Sequence, residues 1–148
     1  MTLRRALAIA FGVAAFLLVS FFAARWLTAE NRERDAVIDL LRAQTGGDAP
    51  AMIAMLDGCS TDTTCRTDAQ RDARRLQRPG NIRILNIDSA TAHAVLAKSG
   101  PTRVAWDVGG KSFPVVQCVQ VERRGVPVLG GPVVLTHIGP QIKGDAAC

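Results

Sequence analysis

The residues in this chain with the chemistry to define a function are four cysteines, two histidines and a group of closely spaced arginines. Cys59, Cys65, Cys118 and Cys148 allow three disulfide pairings. Cys59 and Cys65 bracket a short loop between two expected helices and are close enough to pair locally, which leaves Cys118 with Cys148, the last residue. The two bridges would close loops of 7 and 31 residues, for roughly 2 and 4 kcal/mol in a loop-entropy treatment. Redox catalysis lacks support: Cys-x-x-Cys is absent, and nothing around Cys59 marks an activated thiolate. Zinc binding is equally unsupported, because no pair has finger-like spacing and both histidines stand apart from the cysteines. Structural bridges are the expectation.

Acid–base chemistry has three candidates, His93, Asp107 and His137. A His–Asp pair could transfer protons, given hydrogen-bond reach between the two side chains. Asp107 follows Trp106 in an alternating strand, so it faces outward if Trp106 is buried. A lone histidine in a strand is more commonly a surface or hydrogen-bonded residue. No nucleophile elbow, phosphate loop or metal motif accompanies the three residues. No catalytic residue, metal site or cofactor is therefore assigned. The arginines Arg71, Arg74, Arg75 and Arg78 recur at helical spacing opposite Ala69, Ala73 and Leu76. Such a stripe could contact anionic lipid headgroups, acidic polymers or a partner protein. Its plainer reading is a solvated face, partly compensated by Asp68 and Asp72.

The element that must place all of these is a 19-residue apolar run, Ala6 to Ala24, near the start of the chain. At about 1.5 Å per residue it spans roughly 28 Å, close to the hydrocarbon thickness of a bilayer. A cleaved signal peptide is the competing reading, but its apolar core is shorter, and the nearby cleavage sites would place Phe22 or Leu27 at the −3 position. Arg25 and Trp26 suit a lipid–water boundary. The expected organisation is a short cytoplasmic tail over 1–5, a transmembrane signal anchor over 6–27 and an extracytoplasmic domain over 28–148. The positive-inside rule does not choose between Arg4 and Arg5 on one side and Arg25, Arg32 and Arg34 on the other. An even number of cysteines, all after the anchor, favours an oxidising compartment for the domain. The alternative is a cytosolic domain with four buried thiols.

Three helices are expected first. Thr28 can cap one that runs to about Thr45 and carries Ala36, Val37, Leu40 and Leu41, or that helix continues almost directly from the anchor. Asp48 caps a second, with Pro50 in its first turn and Gly58 as its stop. Thr67 and Gln70 have capping-box spacing for a third, ending near Gln77. Strands follow: one around Ile82, Ile84 and Ile87, one over His93 to Lys98, then Thr102 to Val108, Phe113 to Arg124 and Val133 to Ile138, with Gly109 and Gly110 in a tight hairpin. This is an α+β fold: an N-terminal transmembrane helix followed by about three helices packed on a curved antiparallel sheet, with Trp106 and the valines on the buried face.

The chain has 148 residues and a net charge of +5. Beyond Arg5 the balance is 16 basic against 13 acidic residues, or +3. Acids are interspersed with the bases, tyrosine is absent, and only Trp26, Trp106 and Phe113 follow the anchor's core, which argues against a nucleic-acid platform. The order of elements, with the WDVGG…FPVVQCVQVERRG hairpin after three helices, resembles the NTF2-like (cystatin-like) α+β cone over residues 29–142. Membrane-anchored members include extracytoplasmic subunits of bacterial secretion and transport assemblies, of the VirB8-like and Mce-associated kind. The resemblance implies a pocketed module used for protein contacts and transfers no functional residue. The expected function is a non-catalytic binding or scaffolding domain on a single membrane pass, partnered by the lipid bilayer and another membrane or envelope protein. The alternative is a small-ligand or enzymatic pocket of the NTF2-like type.

Overall fold

The computed structural model describes residues 3–89, 99–109, 113–125 and 131–148, with the backbone alone of residues 3, 6 and 25–30. A single helix, α1, runs unbroken from Leu3 to Gly46, 44 residues or roughly 66 Å. Leu7–Ala24 has a mean hydropathy of 2.5, with no side chain buried by the rest of the chain, so it is apolar and long enough to cross a membrane. Thr28 lies inside α1 and begins no new helix. Between Ala24 and Gln44 there is no glycine or proline to interrupt the hydrogen-bond ladder, and continuing the helix satisfies the backbone N–H groups that a cap would otherwise serve.

The far half of α1 is amphipathic. Glu33, Val37, Leu40, Leu41 and Gln44 are all buried, and they recur at the three- and four-residue spacing of one helical face. Gly47, with φ of +75°, ends the helix, and the amides of Gly47 and Asp48 close on Gln44 and Ala43 at 3.0 and 2.9 Å. A side chain at Gly47 would come within 2.7 Å of the Gln77 amide. Helix α2 spans Ala49–Met55, and the Asp48 carboxylate accepts from the Ala51 amide at 3.0 Å.

Helix α3 spans Thr63–Arg75, so it begins four residues before Thr67. Asp62 is its cap and accepts from the Thr64 and Cys65 amides at 2.8 and 3.2 Å. Thr67 instead donates its hydroxyl to the Thr63 carbonyl within the helix, at 2.9 Å. The bridge between Cys59 and Cys65 ties this first turn to the core, where Cys59 is buried.

Strands β1 (Ile82–Ser89), β2 (Ser99–Val108), β3 (Val115–Arg123) and β4 (Val133–Ile138) form an open antiparallel meander in that order. The strand expected over His93 to Lys98, and Gly110, lie outside the described residues. Ile82, Ile84 and Ile87 break the two-residue period of a strand, and the break appears as a register shift between Ile84 and Asn86. Leu85 takes up the extra residue, half exposed, so Ile84 and Ile87 both pack against the core. A second shift between Gln120 and Val121 brings both Leu135 and Ile138 into the core.

The helices cover one face of the sheet, with α1 touching both edge strands. Between the layers lie Val37, Leu40, Leu41, Met52, Leu56, Ala69, Ala73 and Leu76 from the helices, facing Val104, Trp106, Val115, Val119 and Val121. Trp106 donates its indole N–H to Gln117 Oε1 at 3.0 Å, and Gln117 Nε2 donates to the Gly139 carbonyl at 3.0 Å. That chain satisfies two polar side chains buried in an apolar layer.

The C-terminal tail folds back on the sheet. The Gly139 and Ile142 amides donate to the Cys118 and Val116 carbonyls, both at 2.8 Å. Arg103 donates to the Gly144 and Ala146 carbonyls, and Cys148 is bridged to Cys118. We predict that replacing Cys118 and Cys148 together by serine lowers unfolding free energy by up to about 4 kcal/mol and speeds amide exchange across residues 142–146. An unchanged melting temperature would show that Arg103 and the two backbone bonds hold the tail unaided.

Candidate functional site

The most highly organised polar group in the domain surrounds Glu33, one turn before the apolar stripe of α1 begins. Its carboxylate is 2% exposed. Oε1 accepts the hydroxyls of Ser89 at 2.5 Å and Thr102 at 2.6 Å, and Oε2 accepts Arg123 Nη2 at 2.9 Å. Three strands supply these donors: Ser89 ends β1, Thr102 lies in β2 and Arg123 ends β3. Both carboxylate oxygens are committed to hydroxyl and guanidinium donors, which suits a buried anion that holds structure. The arrangement fastens α1 to the sheet. Sequence reasoning missed it. The available signal was the α1 stripe, whose period extends back from Val37 to Glu33 and forward from Leu40 to Gln44. Gln44 is fully buried, and its amide has no hydrogen-bond partner among the described residues.

The candidate acid–base residues do not converge. His93 lies outside the described residues. His137, exposed on β4, pairs with Gln120, which pairs in turn with Pro101. Asp107 lies six residues along β2 from Pro101, roughly 20 Å at the rise of a strand. A His137–Asp107 proton relay is therefore out of reach. Asp107 is nonetheless buried, because Arg83 covers it with a bidentate pair at 3.1 and 2.6 Å. The same carboxylate raises the pKa of the Arg83 guanidinium.

The four arginines of the expected stripe separate. Arg71 bonds Asp68 at 2.8 Å and Asp72 at 3.2 Å, and its pKa is raised chiefly by the hydrogen bond to Asp72. Arg74 and Arg75 lie in the last turn of α3, where cations suit the carbonyl end of a helix. Arg78 follows the end of α3 and leaves the helical face, because the chain turns there toward Pro79. Its backbone N–H donates to the Thr45 carbonyl at 3.0 Å. Its guanidinium lies 5.7 Å from the centre of the Trp106 ring and donates to the Phe113 carbonyl at 3.2 Å. Elsewhere Arg124 pairs with Asp57, which raises the arginine's pKa.

These features define an α+β domain carried on an apolar helix and closed by two disulfides. No family model matches the chain, and no curated protein or solved structure matches it. Among the described residues, no group of three or more histidine, cysteine or acidic side chains is placed to hold a metal.

Two predictions test this electrostatic framework. Glu33→Gln leaves Arg123 buried without its anion and should cost about 3–5 kcal/mol in chemical unfolding, whereas Glu33→Leu combined with Arg123→Met should cost much less. Additive losses would show that the ion pair is not the link. Asp72 is buried, and burial holds its pKa above the ordinary value against the opposing pull of Arg71. A carboxyl with a raised folded-state pKa binds its proton more tightly when folded, so its contribution to stability declines as pH rises through that pKa. Asp72→Asn should therefore gain stability relative to the natural chain between acid and neutral pH. A constant difference across that range would contradict the assignment.

Proposed function

We propose that this chain is a single-pass membrane protein whose domain stands outside the cytoplasm and acts as a non-catalytic binding or scaffolding module. The carrying observation is the single 44-residue helix, whose first half suits lipid and whose second half forms the core of the domain. The two disulfides support an oxidising compartment, since such bridges persist outside the cytosol. The separation of Asp107 from His137, and the commitment of Glu33 to three donors, support binding over catalysis. The order of helices and strands fits the pocketed NTF2-like module that the sequence resembles, and a second envelope protein is the partner this reading calls for.

Protease added to intact cells should cleave the domain without lysis. A domain shielded until the membrane is broken would overturn the external placement. A photocrosslinker at exposed positions of α2 and α3 in native membranes should trap a discrete protein adduct, and adducts to lipid alone would refute the scaffolding role.

A further inference from the structure

A groove of about 650 Å³ opens where the end of α1 meets the segment between α3 and β1. Its walls include Arg42, Thr45, Gln77, Arg78, Gly80 and Asn81, and no carboxylate lines it. The end of α1 does not compete for its donors: the Thr45 carbonyl is taken by the Arg78 amide and the Gly46 carbonyl by Gln77 Nε2, at 3.0 and 3.3 Å. Arg78 is fixed entirely by neutral groups, the Phe113 carbonyl and the Trp106 ring, so its position is set while its charge stays uncompensated. Arg42 adds a second guanidinium. Its pairing with Asp39 is between side chains 65% and 56% exposed, and a pair that open to water is weak. The close approach that shapes the groove depends on two glycines. A Cβ on Gly80, where φ is +126°, would meet Val108 at 2.7 Å, just as one on Gly47 would meet Gln77.

We propose that this groove binds an acidic peptide segment of a partner protein, with Arg42 and Arg78 pairing its carboxylates. The proposal rests on the binding-module reading and names the surface that would serve it. Guanidinium groups match carboxylates in a bidentate geometry. The groove is large enough for several residues of chain rather than a single small anion. The side-chain amide of Asn81 offers both a donor and an acceptor to a peptide backbone. Ile82, at the groove's end, opens β1, which among the described strands pairs with β2 alone, so an extended peptide leaving the groove meets an available strand edge. Lipid headgroups of the protein's own membrane are too far away. Arg42 lies 18 residues beyond Ala24 along one helix, roughly 27 Å, and an average tilt of ~20° with a headgroup layer of about 6 Å leaves about 19 Å, more than twice the Debye length of about 8 Å.

The test is titration of a fluorescent peptide of alternating Asp and Ser against the full-length protein in nanodiscs, at low ionic strength. The acidic peptide should bind and its Asn counterpart should not. Arg42→Gln with Arg78→Gln should weaken binding about tenfold. Arg66→Gln with Lys143→Gln removes the same charge at remote exposed sites and should change it less than about twofold. Arg78 contacts Trp106, so the single variant Arg42→Glu, at an exposed position, provides a folding-safe check and should also weaken binding. Equal losses in both double variants, no binding by the natural chain, or displacement by inorganic phosphate at concentrations matching the peptide would each overturn the proposal. The titration needs no native partner, so its failure while a membrane partner is still crosslinked retires the groove and leaves the broader reading intact.

Discussion

The structure depends on one helix that changes character along its length. From Leu7 to Ala24 α1 presents apolar side chains all round, and from Glu33 onward it presents a single buried stripe. Nothing in the apolar part sets which way the stripe faces. Glu33 does. A rotation of α1 by one residue turns its side chains by about 100° and would move the carboxylate off Ser89, Thr102 and Arg123 together. A buried ion pair adds little net stability compared with well-packed apolar groups, yet losing one partner is costly. Its main effect here is geometric. It fixes the rotation and height of α1 on the sheet, and the continuous helix passes that phase to the apolar segment.

The sheet has to accept this helix without gaps, and it does so through two irregularities. With strict alternation, Ile87 would face away from Ile84, and Ile138 away from Leu135. The register shifts near Leu85 and Thr136 return each pair to the core side. The cost is a half-exposed leucine on an edge strand. At the sheet's centre Trp106 imposes a further demand. Its ring fills the layer between helices and strands, and its N–H needs an acceptor, which Gln117 provides while Gly139 satisfies Gln117 in turn. The turn after β4 is thereby tied to the core before the tail reaches its disulfide.

Much of this frame was legible in the residues. Val104, Trp106, Val115, Val119 and Val121 alternate clearly enough to identify the buried face, and β4 has the boundaries its sequence suggests. Asp48 and Pro50 mark the start of α2 because an acceptor and a fixed φ together leave few alternatives. The start of α3 was misplaced for an instructive reason. Thr67 and Gln70 form a plausible capping pair, but Asp62 offers a carboxylate at the true start, and the Cys59–Cys65 bridge favours a helix whose first turn includes Cys65. Of the two readings at Thr28, a cap or a helix continuing from the apolar run, the continuous helix is the one observed, since a cap ends nothing when the preceding turn is already helical. The Glu33 cluster was hidden because its partners lie 56, 69 and 90 residues away. A local pattern carries no trace of contacts made across such separations, and a glutamate beside arginines reads as surface charge.

The charge balance follows from these placements. Arg123, Arg83, Arg124 and Arg71 have carboxylate partners, and Arg103 is spent on tail carbonyls. Among the described residues, Arg74, Arg75 and Arg78 form no salt bridge, as Arg32, Arg34, Arg66 and Lys143 form none, and these three follow Ala73 at the close of α3. A cluster of such cations therefore stands where α3 hands over to β1, beside the C-terminal end of α1. There Arg78 is held by neutral groups alone, the Phe113 carbonyl and the Trp106 ring, so its field extends into solvent without a counter-charge to offset it.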